Sequence, residues 1–230
     1  MNNNKPWLKY YPEGVSPTIN FDEYSSLVDM FDKTCERFTL NKAFTNFGVS
    51  LTFNEIYKKS FNLALFLQNE LNLSKGSSVA IMMPNILQYP ISTFGVLKAG
   101  LIVENINPLY TERELETQLL DSKSETIIIL ENFAYLIEKI AHKTLIKNII
   151  ITTAGELLGT KGLLINFVLR NIKKMVPKYN IDYSYKFINT IKINNKYNLK
   201  SISSNLDDVA FLQYTGGTSG TIKAAMLTHK

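Results

Sequence analysis

Apolar residues along this chain switch repeatedly between the spacing of a strand and the spacing of a helix. Short apolar runs rich in β-branched residues predict buried strands at 79–83, 101–103, 126–130 and 148–152. Between them, helical spacing predicts helices that begin after Thr52 and Thr111, and two more at 86–98 and 133–141. Strands that alternate with helices in this way are typical of βαβ units. The pattern therefore predicts an α/β fold, a mostly parallel sheet with helices on both faces.

Two of the predicted helices carry a recognisable start signal. Thr52 and Thr111 are each followed three residues later by a glutamate, Glu55 and Glu114. In such a capping box the threonine and the glutamate satisfy each other's free backbone N–H groups. We divide the chain into an N-terminal extension with a first helix (1–50), βαβ units (51–160), a basic helix with a connection (161–205) and a strand–loop–strand unit (206–230).

The helix predicted at 162–177 is basic and amphipathic. Its polar residues on one face are Asn166, Arg170, Lys173 and Lys174, and its apolar residues on another face are Leu163, Leu164, Phe167, Val168, Ile172 and Met175. Two interpretations stay open. Either the apolar face packs on the core and the basic face is solvated, or the helix makes a peripheral contact with an anionic membrane surface. Residues 179–204 are interpreted as a long connection.

Composition narrows the classes of partner. The net charge of +5 comes almost wholly from lysine, because the only arginines are Arg37, Arg113 and Arg170. Nucleic-acid recognition favours arginine, so we exclude that class and expect an anionic ligand or an acidic membrane, although compositional drift toward lysine explains the charge equally well. The sequence predicts no oligomeric state.

The single cysteine, Cys35, cannot form an intrachain disulfide and is expected to be a small buried apolar residue. The N-terminus has no signal-peptide pattern, and polar residues interrupt the longest apolar stretch, 79–108. We therefore expect a cytoplasmic chain, with the inner face of the cell membrane as its one membrane contact.

The residues that carry chemistry are concentrated near the C-terminal end, after an apolar strand at 209–212. They are Tyr214, Thr215, Gly216, Gly217, Thr218, Ser219, Gly220, Thr221, Ile222, Lys223, Ala224 and Ala225. Glycines allow backbone N–H groups to point together at an anion, hydroxyls add donors, and lysine supplies a cation. This combination predicts a phosphate-binding loop.

Other readings of the loop fit less well. A Walker A loop needs a Gly-Lys pair followed by a hydroxyl, whereas Lys223 stands between Ile222 and Ala224. The serine-hydrolase pattern G-x-S-x-G is absent around Ser219. The residues after Lys223 are apolar, which predicts a loop between two strands. An ordinary Gly/Ser/Thr-rich hairpin remains the alternative.

The stretch from Tyr214 to His229 resembles the signature loop of the adenylate-forming enzymes, and within them the bacterial long-chain fatty acid–CoA ligases. Further stretches resemble that branch, at 26–31, 82–90, 107–116 and 176–179, so the resemblance covers nearly the whole chain. It implies a ligase in which a fatty acid carboxylate attacks the α-phosphate of ATP, and coenzyme A then displaces AMP from the acyl-adenylate. Residues 214–225 would enclose the β- and γ-phosphates, Lys223 would position them, and Thr215 would bind Mg²⁺.

Two residues depart from the family pattern. Ala224 stands where the family usually has glycine, so a positive φ there would strain the loop. Glu104 stands in an apolar strand and needs a partner if it is buried. Family members also continue well beyond the loop, so we expect the 230-residue chain alone to be inactive. The alternatives are a non-catalytic remnant that binds nucleotide or membrane weakly and another adenylate-forming specificity.

Overall fold

The computed structural model describes residues 5–20, 22–192, 196–202, 204–215 and 222–230. The α-helices are α1 (Leu27–Arg37), α2 (Phe53–Asn69), α3 (Gln88–Lys98), α4 (Glu112–Ser122), α5 (Ala134–Ile140), α6 (Thr160–Phe167) and α7 (Phe187–Thr190). The strands are β1 (Lys42–Asn46), β2 (Val49–Thr52), β3 (Ser78–Met82), β4 (Ile102–Asn105), β5 (Thr126–Leu130), β6 (Asn148–Thr152), β7 (Tyr185–Lys186), β8 (Val209–Thr215) and β9 (Lys223–Thr228). Short 3-10 helices lie at Pro6–Tyr10, Glu131–Phe133 and Ala141–Lys143, and a π-helical stretch at Val168–Ile172 follows α6.

Seven strands form one sheet in the order β7-β6-β5-β3-β4-β8-β9, and β1 pairs with β2 in a separate hairpin. Every neighbouring pair in the large sheet is parallel except β8 with β9. The predicted α/β class is therefore confirmed.

Helices cover both faces of this sheet because its central strands are apolar on both sides. In β5, Ile127 and Ile129 belong to a core cluster with α4 and α5. Ile128 and Leu130 belong to the opposite cluster, which contains residues of α1, α2 and α3. Successive side chains of a strand point to opposite faces, so a continuous apolar run builds both core layers.

Both predicted capping boxes form. The Thr52 hydroxyl accepts the Glu55 N–H at 3.2 Å, and the Glu55 carboxylate accepts the Thr52 N–H at 2.8 Å. The Thr111–Glu114 pair makes the same two bonds, at 3.4 and 2.8 Å. These bonds satisfy N–H groups that the first turns of α2 and α4 would otherwise leave free.

Several predicted boundaries are shifted. Helix α3 begins at Gln88 and not at 86, because the turn after Pro84 continues with the Ile86 N–H bonded to the Pro84 carbonyl. Strand β4 runs to Asn105, which places Glu104 inside it. The interpretation of 179–204 as a plain connection is wrong in part. This segment adds β7 to the sheet edge beside β6, and Phe187 of α7 is fully buried in the core.

In the described part of the chain, none of the helices has both the length and the apolar character needed to cross a membrane.

Candidate functional site

The predicted phosphate loop connects the last two strands of the sheet. In the antiparallel pair, Tyr214 lies opposite Ala224, and Thr215 lies opposite Lys223. A loop between two strands was expected here, and the pairing confirms it. Six of the predicted site residues, Gly216, Gly217, Thr218, Ser219, Gly220 and Thr221, lie outside the described residues.

Tyr214 fixes the strand that enters the loop. Its side chain is buried, and its hydroxyl donates to Asp121 Oδ2 of α4 at 2.6 Å. Burial raises the pKa of Tyr214 well above its usual range, and the bond to Asp121 raises it further. The phenol is therefore a permanent donor, and it ties the end of β8 to α4.

Thr215 and Lys223 face each other at the ends of β8 and β9. Side chains directly opposite in an antiparallel pair project from the same face, so the Thr215 and Lys223 side chains share one face of the hairpin. Both residues are exposed, and Lys223 forms no ion pair within the ranges the structure describes. A neutral oxygen beside an available cation suits a polyphosphate and the hard cation that accompanies it.

Ala224 causes no backbone strain at the point where the family usually has glycine. It lies inside β9, and it is not among the non-glycine residues with positive φ, which are Phe47, Asn72, Lys123 and Lys174. Ala225 continues the strand opposite Gln213, and Ile222 lies immediately before the strand and is half-buried. The departure at Ala224 therefore leaves this part of the hairpin regular.

A cleft of about 280 Å³ lies at the carboxyl ends of β3, β4 and β8. Its lining includes a chain of uncharged polar groups: the Tyr89 hydroxyl donates to Asn105 Oδ1, and Asn105 Nδ2 donates to Gln213 Oε1, each at 3.1 Å. Tyr214 also lines it. Asn105 and Gln213 are not among the site residues predicted from the sequence. Their positions at the ends of parallel strands, where such sheets bind ligands, are the signal that could have found them.

Glu104 lies behind the cleft and is fully buried. Its carboxyl accepts bonds from Gln118 Nε2 at 2.9 Å and from the Ser124 hydroxyl, so it has the partners that burial requires. Burial raises its pKa, and these hydrogen bonds oppose the shift. Its charge also contributes to the raised pKa of Tyr214.

Cys35 is the single cysteine of the chain. It is buried in α1, and burial, with a smaller contribution from Asp32, raises the pKa of its thiol to about 11. His229 lies at the end of β9, where its Nδ1 accepts the Leu27 N–H at 3.3 Å. The expected burial of Cys35 is confirmed.

The basic helix predicted at 162–177 ends earlier than expected, and most of the apolar side chains predicted for its inner face lie on its outer, solvent-exposed face. Helix α6 and the following π-helical stretch end at Ile172, and most of the apolar side chains are exposed, among them Leu163, Leu164 and Phe167. Arg170, which was placed on a solvated basic face, instead binds the buried carboxylate of Glu131. The interpretation in which the apolar face packs on the core is therefore wrong for these residues.

Within the described residues, no three His, Cys, Asp or Glu side chains form a cluster that could hold a metal ion. Thr215 stays the one residue that we expect to contact a cation, together with phosphate oxygens of a ligand.

Similarity to known proteins extends from this hairpin over nearly the whole chain. The family model described as AMP-binding enzyme matches residues 31–230. A long-chain-fatty-acid–CoA ligase of Escherichia coli O157:H7 is 48% identical over 229 residues, which cover 98% of this chain and 40% of the relative. The chain thus spans about 40% of the length of the curated relative.

Solved structures agree on the fold. An anthranilate CoA ligase in complex with anthranoyl-AMP matches 90% of this chain and 35% of its own with a TM-score of 0.73 and 20% identity. A long-chain-fatty-acid–CoA ligase from Archaeoglobus fulgidus matches 93% of this chain and 38% of its own, with a TM-score of 0.69 and 22% identity.

Proposed function

The chain belongs to the AMP-binding enzyme family, and from this premise we propose that it supplies the phosphate-binding part of a long-chain fatty acid–CoA ligase. The reaction converts ATP, a fatty acid and CoA to acyl-CoA, AMP and pyrophosphate. The fatty acid carboxylate attacks the α-phosphorus of ATP and pyrophosphate leaves. The CoA thiol then attacks the acyl carbonyl and AMP leaves.

The observation that carries this proposal is the hairpin at the end of a buried strand. Thr215 and Lys223 lie opposite each other where β8 and β9 meet the glycine-rich connection. Tyr214, one residue earlier, is held by Asp121. An anion-binding loop must keep its donors in place before the ligand arrives, and an anchored strand end does so.

Each residue of the loop has a proposed role. The backbone N–H groups of 216–221 bind the β- and γ-phosphate oxygens, and Lys223 offsets their charge. Thr215 contributes a hydroxyl oxygen to Mg²⁺, which supplies further neutralisation when bound. No general base is needed in the first step, because a fatty acid carboxylate is already ionised at neutral pH.

Equilibrium binding of MgATP tests the proposal. Lys223→Ala removes one charge-assisted contact, which is worth about 1.5–3 kcal/mol and so weakens binding roughly tenfold to a hundredfold. Lys58→Ala, an exposed lysine of α2, is the matched control and should bind MgATP like the wild type. Equal affinities for Lys223→Ala and the wild type would overturn the assignment of this loop.

Turnover by the 230-residue polypeptide is a separate question. Because it spans 40% of the ligase it resembles, we expect no ATP–pyrophosphate exchange with palmitate from the purified chain. Clear exchange would contradict this expectation. Exchange driven by an aryl acid or an amino acid instead of palmitate would favour another adenylate-forming specificity. MgATP binding without any exchange fits both an incomplete ligase and a non-catalytic remnant.

We also propose a cytoplasmic location with peripheral contact at the inner face of the cell membrane through residues 162–177. Support comes from the exposed apolar side chains of this segment. Small molecules, namely the fatty acid, ATP and CoA, are the proposed substrates, and nucleic acid is not a proposed partner.

A further inference from the structure

Residues 160–178, called the surface segment below, lie across the carboxyl ends of β5 and β6. Asn166 of this segment donates to the Thr153 hydroxyl at 2.9 Å and accepts the Gly155 N–H at 2.8 Å, just after β6. Arg170 donates twice to Glu131, which directly follows β5, at 3.0 and 2.5 Å. Asn166 and Arg170 thus bind the protein, on the side of the segment where Ile165 and Leu169 pack against the core.

Two glycines pack against each other on the side of α6 that faces the protein, Gly162 of α6 and Gly155 of the turn after β6. A Cβ atom added to Gly162 would lie 1.8 Å from the Gly155 carbonyl oxygen, and one added to Gly155 would lie 2.1 Å from the Gly162 carbonyl oxygen. Backbone therefore packs directly on backbone, which only glycine permits. With this contact and the two polar tethers in place, the rotation of the helix about its axis is fixed.

The opposite side of the surface segment is apolar and open to solvent. Its exposed fractions run from 55% to 74% for Leu163, Leu164, Phe167, Ile172 and Met175. A surface helix of a globular protein normally shows the reverse arrangement, with its charged residues toward solvent and its apolar residues toward the core. Several large apolar side chains exposed next to one another mark an interaction surface.

Charge indicates the kind of partner. No aspartate or glutamate occurs from 157 to 181. Lys161, Lys173, Lys174 and Lys178 are all exposed, and none takes part in an ion pair where the structure is described. Arg170 is the one cation that is neutralised, by Glu131. Lysine is depleted at protein interfaces, whereas leucine and phenylalanine flanked by lysine are typical of binding to anionic lipid.

We infer that the surface segment binds an anionic phospholipid surface with Leu163, Leu164 and Phe167 at the acyl boundary, the lysines at the headgroups, and Asn166 and Arg170 holding it apolar side outward. This inference specifies the residues and the lipid of the proposed membrane contact. Its consequence for delivery of the fatty acid rests on the proposed function. The cleft beside Tyr214 and the surface segment lie at the same edge of the sheet, because both are next to the carboxyl ends of parallel strands. From β6 to β8 the sheet steps across four strand spacings, about 19 Å at roughly 4.8 Å each. A fatty acid that partitions into the bilayer would reach the ligase at this edge.

Vesicle co-sedimentation of the 230-residue chain tests the inference, using phosphatidylcholine vesicles with and without phosphatidylglycerol. We expect binding to the anionic vesicles at least tenfold tighter, and weaker binding in high salt. Lys173→Ala with Lys174→Ala should weaken it by roughly thirtyfold, since each lysine near such a surface contributes about 1 kcal/mol. Leu163→Gln with Leu164→Gln and Phe167→Gln should abolish it.

A control variant replaces two apolar residues elsewhere that are even more exposed, Leu40→Gln with Leu109→Gln, and should bind like the wild type. Circular dichroism melting checks that each variant is folded. Equal binding to neutral and anionic vesicles would overturn the inference, as would equal losses in the control. A dimer in gel filtration that the triple variant dissociates, without vesicle binding, would assign the surface to a second copy of this chain and also overturn it.

MgATP binding measured without vesicles separates the two proposals. If the wild-type chain binds MgATP but not the anionic vesicles, only the lipid contact is refuted; if it binds the vesicles but not MgATP, only the phosphate loop is refuted.

Discussion

Replacing the buried Glu104 by glutamine should make the chain more stable at neutral pH. The carboxyl group is fully buried and accepts hydrogen bonds from Gln118 and Ser124. A glutamine fits the same space: its carbonyl can accept from Gln118, and its amide can donate to Ser124, whose hydroxyl also reaches Ser78 Oγ at 2.8 Å. The substitution therefore keeps the network and removes only the charge.

The size of the effect follows from the raised pKa of Glu104, which burial causes above all. Glutamate in the unfolded chain titrates at about 4.3. Between that pH and the higher pKa of the folded chain, the folded state binds more protons than the unfolded state. Stability from this group is therefore complete at low pH and falls by up to about 1.4 kcal/mol per pH unit across this window. Above the folded pKa the loss is constant.

Urea unfolding from pH 4 to pH 9 measures this directly. The difference in unfolding free energy between Glu104→Gln and the wild type should be near zero at pH 4 and grow as pH rises. Glu13→Gln, at an exposed glutamate, is the matched control for replacing a carboxylate by an amide. If the wild type and Glu104→Gln give parallel curves over the whole range, the carboxyl group does not titrate in the buried network and the reasoning fails.

Three further predictions concern single contacts. Gly162→Ala would bring a Cβ to 1.8 Å from the Gly155 carbonyl oxygen, so we expect a loss of roughly 1–3 kcal/mol in urea unfolding, and an unchanged midpoint would contradict that packing. Tyr214→Phe removes the bond to Asp121 and should lower stability by about 1 kcal/mol; no change in the unfolding midpoint would show that the anchor contributes nothing. Because burial raises the pKa of the Cys35 thiol to about 11, roughly one thiol in a thousand is ionised at pH 8, so a disulfide reagent should label the folded chain far more slowly than the unfolded one, and equal rates would refute the burial.

The layered fold was predictable because its signals are local. The T-x-x-E pairs at Thr52 and Thr111 act within one helical turn, and both form. The run 127–130 is apolar at every position, so it had to be covered on both faces of the sheet, and every residue of β5 is buried. Strand order and the pairing of β7 with β6 were not predictable, because they depend on contacts between residues far apart in sequence.

The candidate site was predictable only in part. The lysine spacing and the flanking apolar strands predicted a loop between two strands, and the observed register places Lys223 opposite Thr215. The tether from Tyr214 to Asp121 joins residues 93 positions apart. The chain from Tyr89 through Asn105 to Gln213 forms only once β4 and β8 are neighbours. Such contacts have no sequence pattern that marks them in advance.

The surface segment shows why an amphipathic pattern gives the faces of a helix but not their direction. The rule that apolar side chains point inward assumes that the neighbouring surface is also apolar. Here the neighbouring surface is mixed: Ile165 and Leu169 pack against the core, but the surface also offers the Thr153 hydroxyl, the Gly155 N–H and the buried Glu131 carboxylate. Leaving that carboxylate unpaired would cost more than exposing leucine side chains. The helix therefore turns Asn166 and Arg170 toward the protein, and its apolar face stays exposed to the proposed lipid surface.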